Sequence, residues 1–304
     1  MKQNKASVTS LLSAFGRAHH SRYDTPVVFD DFLAEELMSP KEFSDIRENL
    51  IQGAAFFNKE AAQRLHDQPE ELVKWITQIQ LSPTPLARAA YSEDVLLHEI
   101  TLGAAQYVIL GAGLDTFCWR HPDLAGRLEI FEIDYPATQE FKKEKLAHAG
   151  LEIPDCLHFV PMDFTRTFSY EPLQAEGFAD TKTFFSLLGV LYYLTKEETA
   201  SLIRHLFVNV PSGSSIVFDY ADERLFDEKG LFSRVENMVK LAEAGGEPMK
   251  SCFSYAELET MLEEAGLLIY EHLPPAAIQD RFFSSRTDHL MAFETIHYVH
   301  AVKK

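Results

Sequence analysis

Cysteine is scarce in this chain: Cys118, Cys156 and Cys252 are its only three, and none pair as Cys-x-x-Cys. An odd, scattered set argues against a disulfide framework and a thiolate zinc centre, and fits a reducing compartment. Long apolar runs are also missing. The longest, Phe184 to Leu194, is interrupted by Ser186 and Gly189, far short of the ~20 residues that cross a bilayer. Lys2 and Lys5 precede an apolar patch at Leu11–Phe15, but Arg17, His19 and His20 follow at once, so no signal sequence is expected. Positive charge is in deficit, with 28 Lys and Arg against 46 Asp and Glu, for a net charge of −18. Such a surface repels phosphate backbones and anionic lipid, which disfavours nucleic acid and membranes as partners. A cytoplasmic protein is expected.

What is present suits a folded globule. Apolar residues make up 46% of the 304 and charged residues 24%, enough to fill a core without staples. The chain divides into a helical front, residues 1–103, and a back, residues 104–304, in which strands and helices alternate. In the front, Ser39-Pro40-Lys41-Glu42 is a capping box with proline at the first helical position. Residues 54–80 carry helical spacing through Leu65, Leu72, Trp75, Ile76 and Ile79 until Ser82-Pro83-Thr84-Pro85 breaks it. A further helix is expected from Leu86 to about Leu102, ending at Gly103.

Behind Gly103 the expected strands are Gln106–Leu110, Leu128–Asp134, His158–Met162, Thr183–Leu188, Ser215–Asp219, Leu267–Leu273 and His289–Thr295. Pro136 opens a helix that Gly150 closes, and Thr195 and Ser254 head capping boxes with Glu198 and Glu257. Alternation of this kind implies right-handed βαβ units, hence an α/β fold with a doubly wound, mostly parallel, seven-stranded sheet. No helix is evident between the last two strands, so one is expected to run antiparallel at the edge. Residues 221–250, charged and holding Gly230, Gly245 and Gly246, read as an insertion or lid.

The first chemical signal is Gly111-Ala112-Gly113-Leu114-Asp115-Thr116, directly after a strand. Glycines there let the chain turn tightly and let a ligand approach the backbone at the carboxyl edge of the sheet. Thr116 stands where a dinucleotide fingerprint has its third glycine, which favours a nucleoside over a pyrophosphate. The second signal is Asp134, 21 residues beyond Gly113 at the end of a strand, the position from which an acid bonds a ribose diol. Glu132 is its rival, two residues earlier and inside the strand.

These residues resemble a known family. Gly111–Arg120, Phe131–Lys142 and Gly189–Leu194 are similar to the leucine carboxyl methyltransferases, which include polyketide O-methyltransferases of the tetracenomycin type. The likeness is strongest from Leu86 to Leu194. It implies a class I, Rossmann-like methyltransferase core at 104–304, a helical cap or lid at 1–103, and S-adenosyl-L-methionine as cofactor. It also implies site residues. Arg88 matches the arginine holding the methionine carboxylate, with Arg17 a second basic residue nearby. Asp163 matches the acid that bonds the adenine amino group, and Phe164 supplies a backbone amide and an apolar wall. Gly111, Ala112, Gly113, Asp115, Asp134 and Tyr135 complete the cofactor set. Leu188 stands where the family pattern has a glutamate, which points to an acceptor other than the leucine carboxyl group and gives Leu188 a packing role.

The implied reaction is in-line methyl transfer to a carboxylate or hydroxyl of a small acceptor, polyketide-like molecules included. An ionised carboxylate needs no base, whereas a hydroxyl acceptor can require one. The candidates for that base are His19, His20, Tyr192 and Tyr193, each with a packing or surface role as the alternative. Asp219, ending a strand, either faces the pocket or caps a turn. Phe226, Phe232, Phe282 and Phe283 are expected near the sheet's carboxyl edge, where some would line the acceptor pocket. His121 reads as loop, and His297-x-x-His300 as surface with no metal. A nicotinamide-dependent oxidoreductase and a silent binding module of the same fold are the competing readings.

Overall fold

The computed structural model describes residues 8–164 and 168–304; Lys2 and Lys5 lie outside them. The sheet has seven strands: β1 (Gln106–Leu110), β2 (Glu129–Asp134), β3 (Leu157–Pro161), β4 (Thr183–Leu187), β5 (Ser215–Ala221), β6 (Leu267–Leu273) and β7 (Ile296–Lys303). Their order is β3-β2-β1-β4-β5-β7-β6. The first five pair in parallel, and β7 is antiparallel to both β5 and β6. Every residue of β1, β4 and β5 is buried, as a parallel sheet covered on both faces requires. One face packs Val108, Leu110, Phe131 and Ile133; the other packs Tyr107, Ile109 and Ile130 against Leu86 and Tyr91 of the Pro83–Thr101 helix.

The three capping boxes form as their sequences dictate, at Ser39/Glu42, Thr195/Glu198 and Ser254/Glu257. Gly150 ends its helix at φ 67°. The helix expected over 54–80 is instead broken into Ala54–Phe57, Lys59–Arg64, Pro69–Ile76 and a π-turn at Thr77–Leu81. Asn58 starts a new helix by accepting the Ala61 amide at 2.8 Å. Pro69, lacking an N–H, can only begin one.

The last strand departs further from expectation. It runs over Ile296–Lys303, not His289–Thr295. Leu290 and Phe293 are buried in irregular backbone, and the Met291 and Ala292 carbonyls are taken by the Arg234 guanidinium, not by a neighbouring strand. The antiparallel strand is therefore internal, and β6 occupies the edge. This insertion also separates the sheet from the 3-2-1-4-5-6 order of dinucleotide-binding folds.

His297 and His300 are thus strand residues and not surface residues. His300 is 4% exposed, with Glu99 at 3.5 Å. His297 contacts His272 at 3.1 Å and Asp222 at 3.2 Å. Three positions apart on a strand, the two rings project from opposite faces and cannot share a metal ion. No helix among the described residues is long and apolar enough to cross a membrane.

Candidate functional site

The carboxyl ends of β1, β2 and β4 open into a cavity of about 390 Å³, within the range of small-molecule sites. Its floor is the turn after β1. Gly111 has φ 76°, and a Cβ there would sit 2.5 Å from Val190 Cγ2, so only glycine lets the two loops meet. The Gly111 amide donates to Ile133 O at 2.7 Å, tying the turn to β2. Asp115 lines the cavity and accepts the Phe117 amide at 2.8 Å, heading the short helix that follows.

Asp134 ends β2 on the cavity wall. Its Oδ2 accepts the Gly113 amide and its Oδ1 the Tyr135 amide, both at 2.6 Å. Burial outweighs those two donors and pushes its carboxyl up to about 6. Glu132 lies inside the strand, with Lys142 at 2.5 Å, and is not among the cavity residues. Ala112, Tyr135, Asp163 and Phe164 line the same region.

Arg88 reaches the cavity from the Pro83–Thr101 helix. Its Nη1 donates to Asp219 Oδ2 at 3.0 Å. Asp219 Oδ1 accepts the Gly189 amide at 2.6 Å, and Tyr192 donates its hydroxyl to Asp219 Oδ2. Arg17 also lines the cavity, bonding Asp31 at 2.7 Å, Leu114 O at 2.8 Å and Ser13 at 2.9 Å. Burial would raise the Asp31 carboxyl, but Arg17 and Arg120 outweigh it and hold it below the usual range. Asp31 also accepts the Thr116 hydroxyl at 2.5 Å, so it braces the residue that replaces the third glycine. Arg120 bonds Glu93, which His121 also contacts at 3.1 Å, so His121 belongs to this network and not to a free loop.

The candidate bases separate. Tyr192 and Tyr193 line the cavity. Burial, reinforced by Asp219, raises the Tyr192 phenol well above its ordinary value, and burial raises Tyr193 to about 12. His19 is not among the lining residues. Its ring packs between Phe15 and Tyr23, and burial lowers it to about 4. His20 is fixed by Asp24 at 2.7 Å and by the Val28 amide at 2.8 Å.

The apolar wall differs from the one expected. Phe226 and Phe232 are largely exposed, Phe283 is in the core, and none of these or Phe282 lines the cavity. Val8, Leu12, Phe29, Leu81, Pro85, Leu188, Met238, Leu241, Met249 and Phe293 do. Leu188 thus contributes an apolar side chain where the family pattern has a carboxylate. Met238, Leu241, Glu247 and Met249 come from the 221–250 segment, with Glu247 accepting the Thr9 hydroxyl at 2.5 Å. Asp31, Arg120, Glu247 and Phe293 were not foreseen. Asp31 and Arg120 pair across the fold, and only Glu247, inside the expected lid, had a segment-level signal.

The chain is similar to known proteins. The model of the leucine carboxyl methyltransferase family matches residues 10–207, a span that holds the glycine turn, Asp134, Asp163 and Gly189–Leu194. YktD of Bacillus subtilis, named as a candidate S-adenosyl-L-methionine-dependent methyltransferase, is 67% identical over 304 residues, 100% of both chains. A Mycobacterium marinum protein with the same type of name is 27% identical over 212 residues, covering 69% of this chain and 64% of its own. With most of its length matched by one family model, the chain belongs to the leucine carboxyl methyltransferase family.

Proposed function

We infer that this chain, an S-adenosyl-L-methionine-dependent methyltransferase, delivers its methyl group to a carboxylate oxygen of a small, partly apolar acid. The cavity residues suit the cofactor: a glycine floor that side chains would fill, a buried carboxylate at the end of β2, and an arginine facing them. Asp134 would accept from the ribose hydroxyls, Asp163 and the Phe164 amide would hold the adenine, and Arg88 the methionine carboxylate. When bound, the cofactor supplies an electrophilic methyl on sulfonium whose departure leaves a neutral thioether. The helical front and the 221–250 segment would serve as the cap that excludes water and fixes the approach of the acceptor.

The observation that carries the choice of acceptor is the lack of a histidine or readily ionised phenol to act as base, the one lining carboxyl raised towards neutrality, Asp134, being engaged by the Gly113 and Tyr135 amides and assigned to the ribose. Among the described residues no histidine lines the cavity, and both tyrosines are held protonated. An alcohol, phenol or protonated amine would need a proton acceptor near the working pH. A carboxylic acid is already ionised, and the apolar wall suits its remaining carbon skeleton. The test is methyl transfer from radiolabelled cofactor to a panel of acids, phenols, alcohols and amines. A methyl ester, which releases methanol in mild alkali, is expected. An alkali-stable product would refute the carboxylate reading, and transfer to a phenol or alcohol would establish the hydroxyl one.

A further inference from the structure

Resting on that cofactor reading, we propose that Asp219 is the positioning residue of the arginine clamp, acting on the cofactor's carboxylate only through Arg88. Asp219 is fully buried in β5 and is not itself on the cavity wall. Its carboxylate joins two pieces of the site that are distant in sequence, the helix bearing Arg88 and the loop Gly189–Leu194. Oδ2 takes Arg88 Nη1 at 3.0 Å and the Tyr192 hydroxyl, and Oδ1 takes the Gly189 amide at 2.6 Å. Gly189 in turn backs the guanidinium so closely that a Cβ there would fall 2.5–2.8 Å from Nη1, Nη2 and Cζ. Arg88 is therefore bonded along one edge and wedged from behind. Among the described residues its Nε and Nη2 make no hydrogen bond, and these two lie along one edge of the fork that a carboxylate engages bidentately. A buried guanidinium without a counter-charge would be costly, and a free one would wander among rotamers. Asp219 removes both problems while remaining out of contact with the ligand. The role is confined to the amino-acid half of the cofactor, because Asp134 and the glycine turn lie on the other side of the cavity floor's strand order, at β1 and β2.

Calorimetry on the full chain tests this with two probes: S-adenosylhomocysteine, and 5′-methylthioadenosine, which keeps the adenosine and thioether but has no carboxylate. Asp219→Asn is expected to weaken S-adenosylhomocysteine roughly 10- to 100-fold, the scale of a charged hydrogen bond, and to leave methylthioadenosine unchanged. Equal losses for both probes, or no loss for either, would overturn the proposal. A second comparison needs neither a stable D219N protein nor the smaller probe. R88M/D219N, with both charges removed, should bind S-adenosylhomocysteine as R88M does; a further loss in the double variant, or an R88M protein that binds like the wild type, overturns it. A wild type that fails to bind S-adenosylhomocysteine at all refutes the cofactor reading itself, an outcome separate from these.

Discussion

The Gly113 amide donates to the Asp134 carboxylate at 2.6 Å, joining the turn after β1 to the end of β2 across a distance of 21 positions in the chain. One acid thereby shapes the glycine floor and faces the cavity. Asp134→Ala is expected to weaken S-adenosyl-L-methionine by about 1.5–3 kcal/mol, the scale of hydrogen bonds to a charged group. The pH dependence follows from the carboxyl's rise from 3.8 to about 6. The ionised form is the one that accepts ribose hydroxyls, so cofactor affinity should fall as pH drops through about 6. The ligand-free fold has the opposite dependence at this site. A carboxyl raised on folding binds its proton more tightly in the native state, so its stabilising contribution is lost as pH rises from about 4 to about 6. Titration calorimetry and melting curves between pH 5 and 8 measure both trends, and identical affinities across that range would remove Asp134 from the ligand contact.

Gly189 gives a steric prediction. Its φ is +71°, and an added Cβ would meet the Arg88 guanidinium at 2.5 Å. Gly189→Ala must therefore strain the backbone, displace the arginine, or both, at a stability cost of about 1–3 kcal/mol. A drop in melting temperature together with at least tenfold weaker S-adenosylhomocysteine binding is expected. Alanine tolerated in both assays would show that the guanidinium can move without consequence.

The elements of the fold were legible where local chemistry decides them. Ser39, Thr195 and Ser254 each stand three residues before a glutamate, and each heads a helix with both capping bonds made. The turn at Gly111–Gly113 and its acid at Asp134 were legible because a fixed spacing encodes their proximity. The last strand was not, since Leu290–Phe293 has the apolar texture of a strand and its fate depends on the Arg234 side chain arriving from another element. Asp31 was unreadable for the same reason, and at Asp219 the sequence left two readings open, facing the pocket or capping a turn. A buried acid that pairs with arginines from remote segments looks, in sequence, like any loop or strand-end aspartate. The acceptor wall was misplaced because phenylalanines suit core and pocket equally, and only tertiary packing leaves Phe283 wholly in the core while Phe293, buried in the same cluster, also lines the cavity.

Beneath the site lies a buried ion pair. Lys142 Nζ is 2.5 Å from Glu132 Oε2, and both side chains are 1% exposed. Burial pushes the Glu132 carboxyl up to about 7 despite that partner. Lys142→Met would leave the acid buried and uncompensated, and a loss of about 3–5 kcal/mol is expected. The double variant E132L/K142M should recover most of it, since an apolar pair of similar volume avoids desolvating charges. Denaturant unfolding of the two variants decides the matter: a double variant no more stable than K142M would mean the pair contributes specific geometry and not charge balance.

At the far side of the sheet, β6 and β7 bring two imidazoles together. His272 Nε2 is 3.1 Å from His297 Nδ1 and 3.1 Å from the Tyr220 hydroxyl. His297 Nε2 is 3.2 Å from Asp222 Oδ2. Burial lowers His272 to about 4, with His297 adding to the effect, and burial also lowers His297 although Asp222 opposes it. A histidine depressed on folding takes up its proton more readily in the unfolded chain. The native state should therefore lose stability as pH falls from about 6.5 towards 4, with His272 and the similarly depressed His19 both contributing. His272→Gln keeps a polar side chain at this position without a group that titrates there. Melting temperatures measured from pH 7.5 to 4.5 should fall less steeply for this variant than for the wild type. Parallel curves for the two proteins would assign the acid sensitivity to other groups and leave this histidine pair a packing feature of β6 and β7.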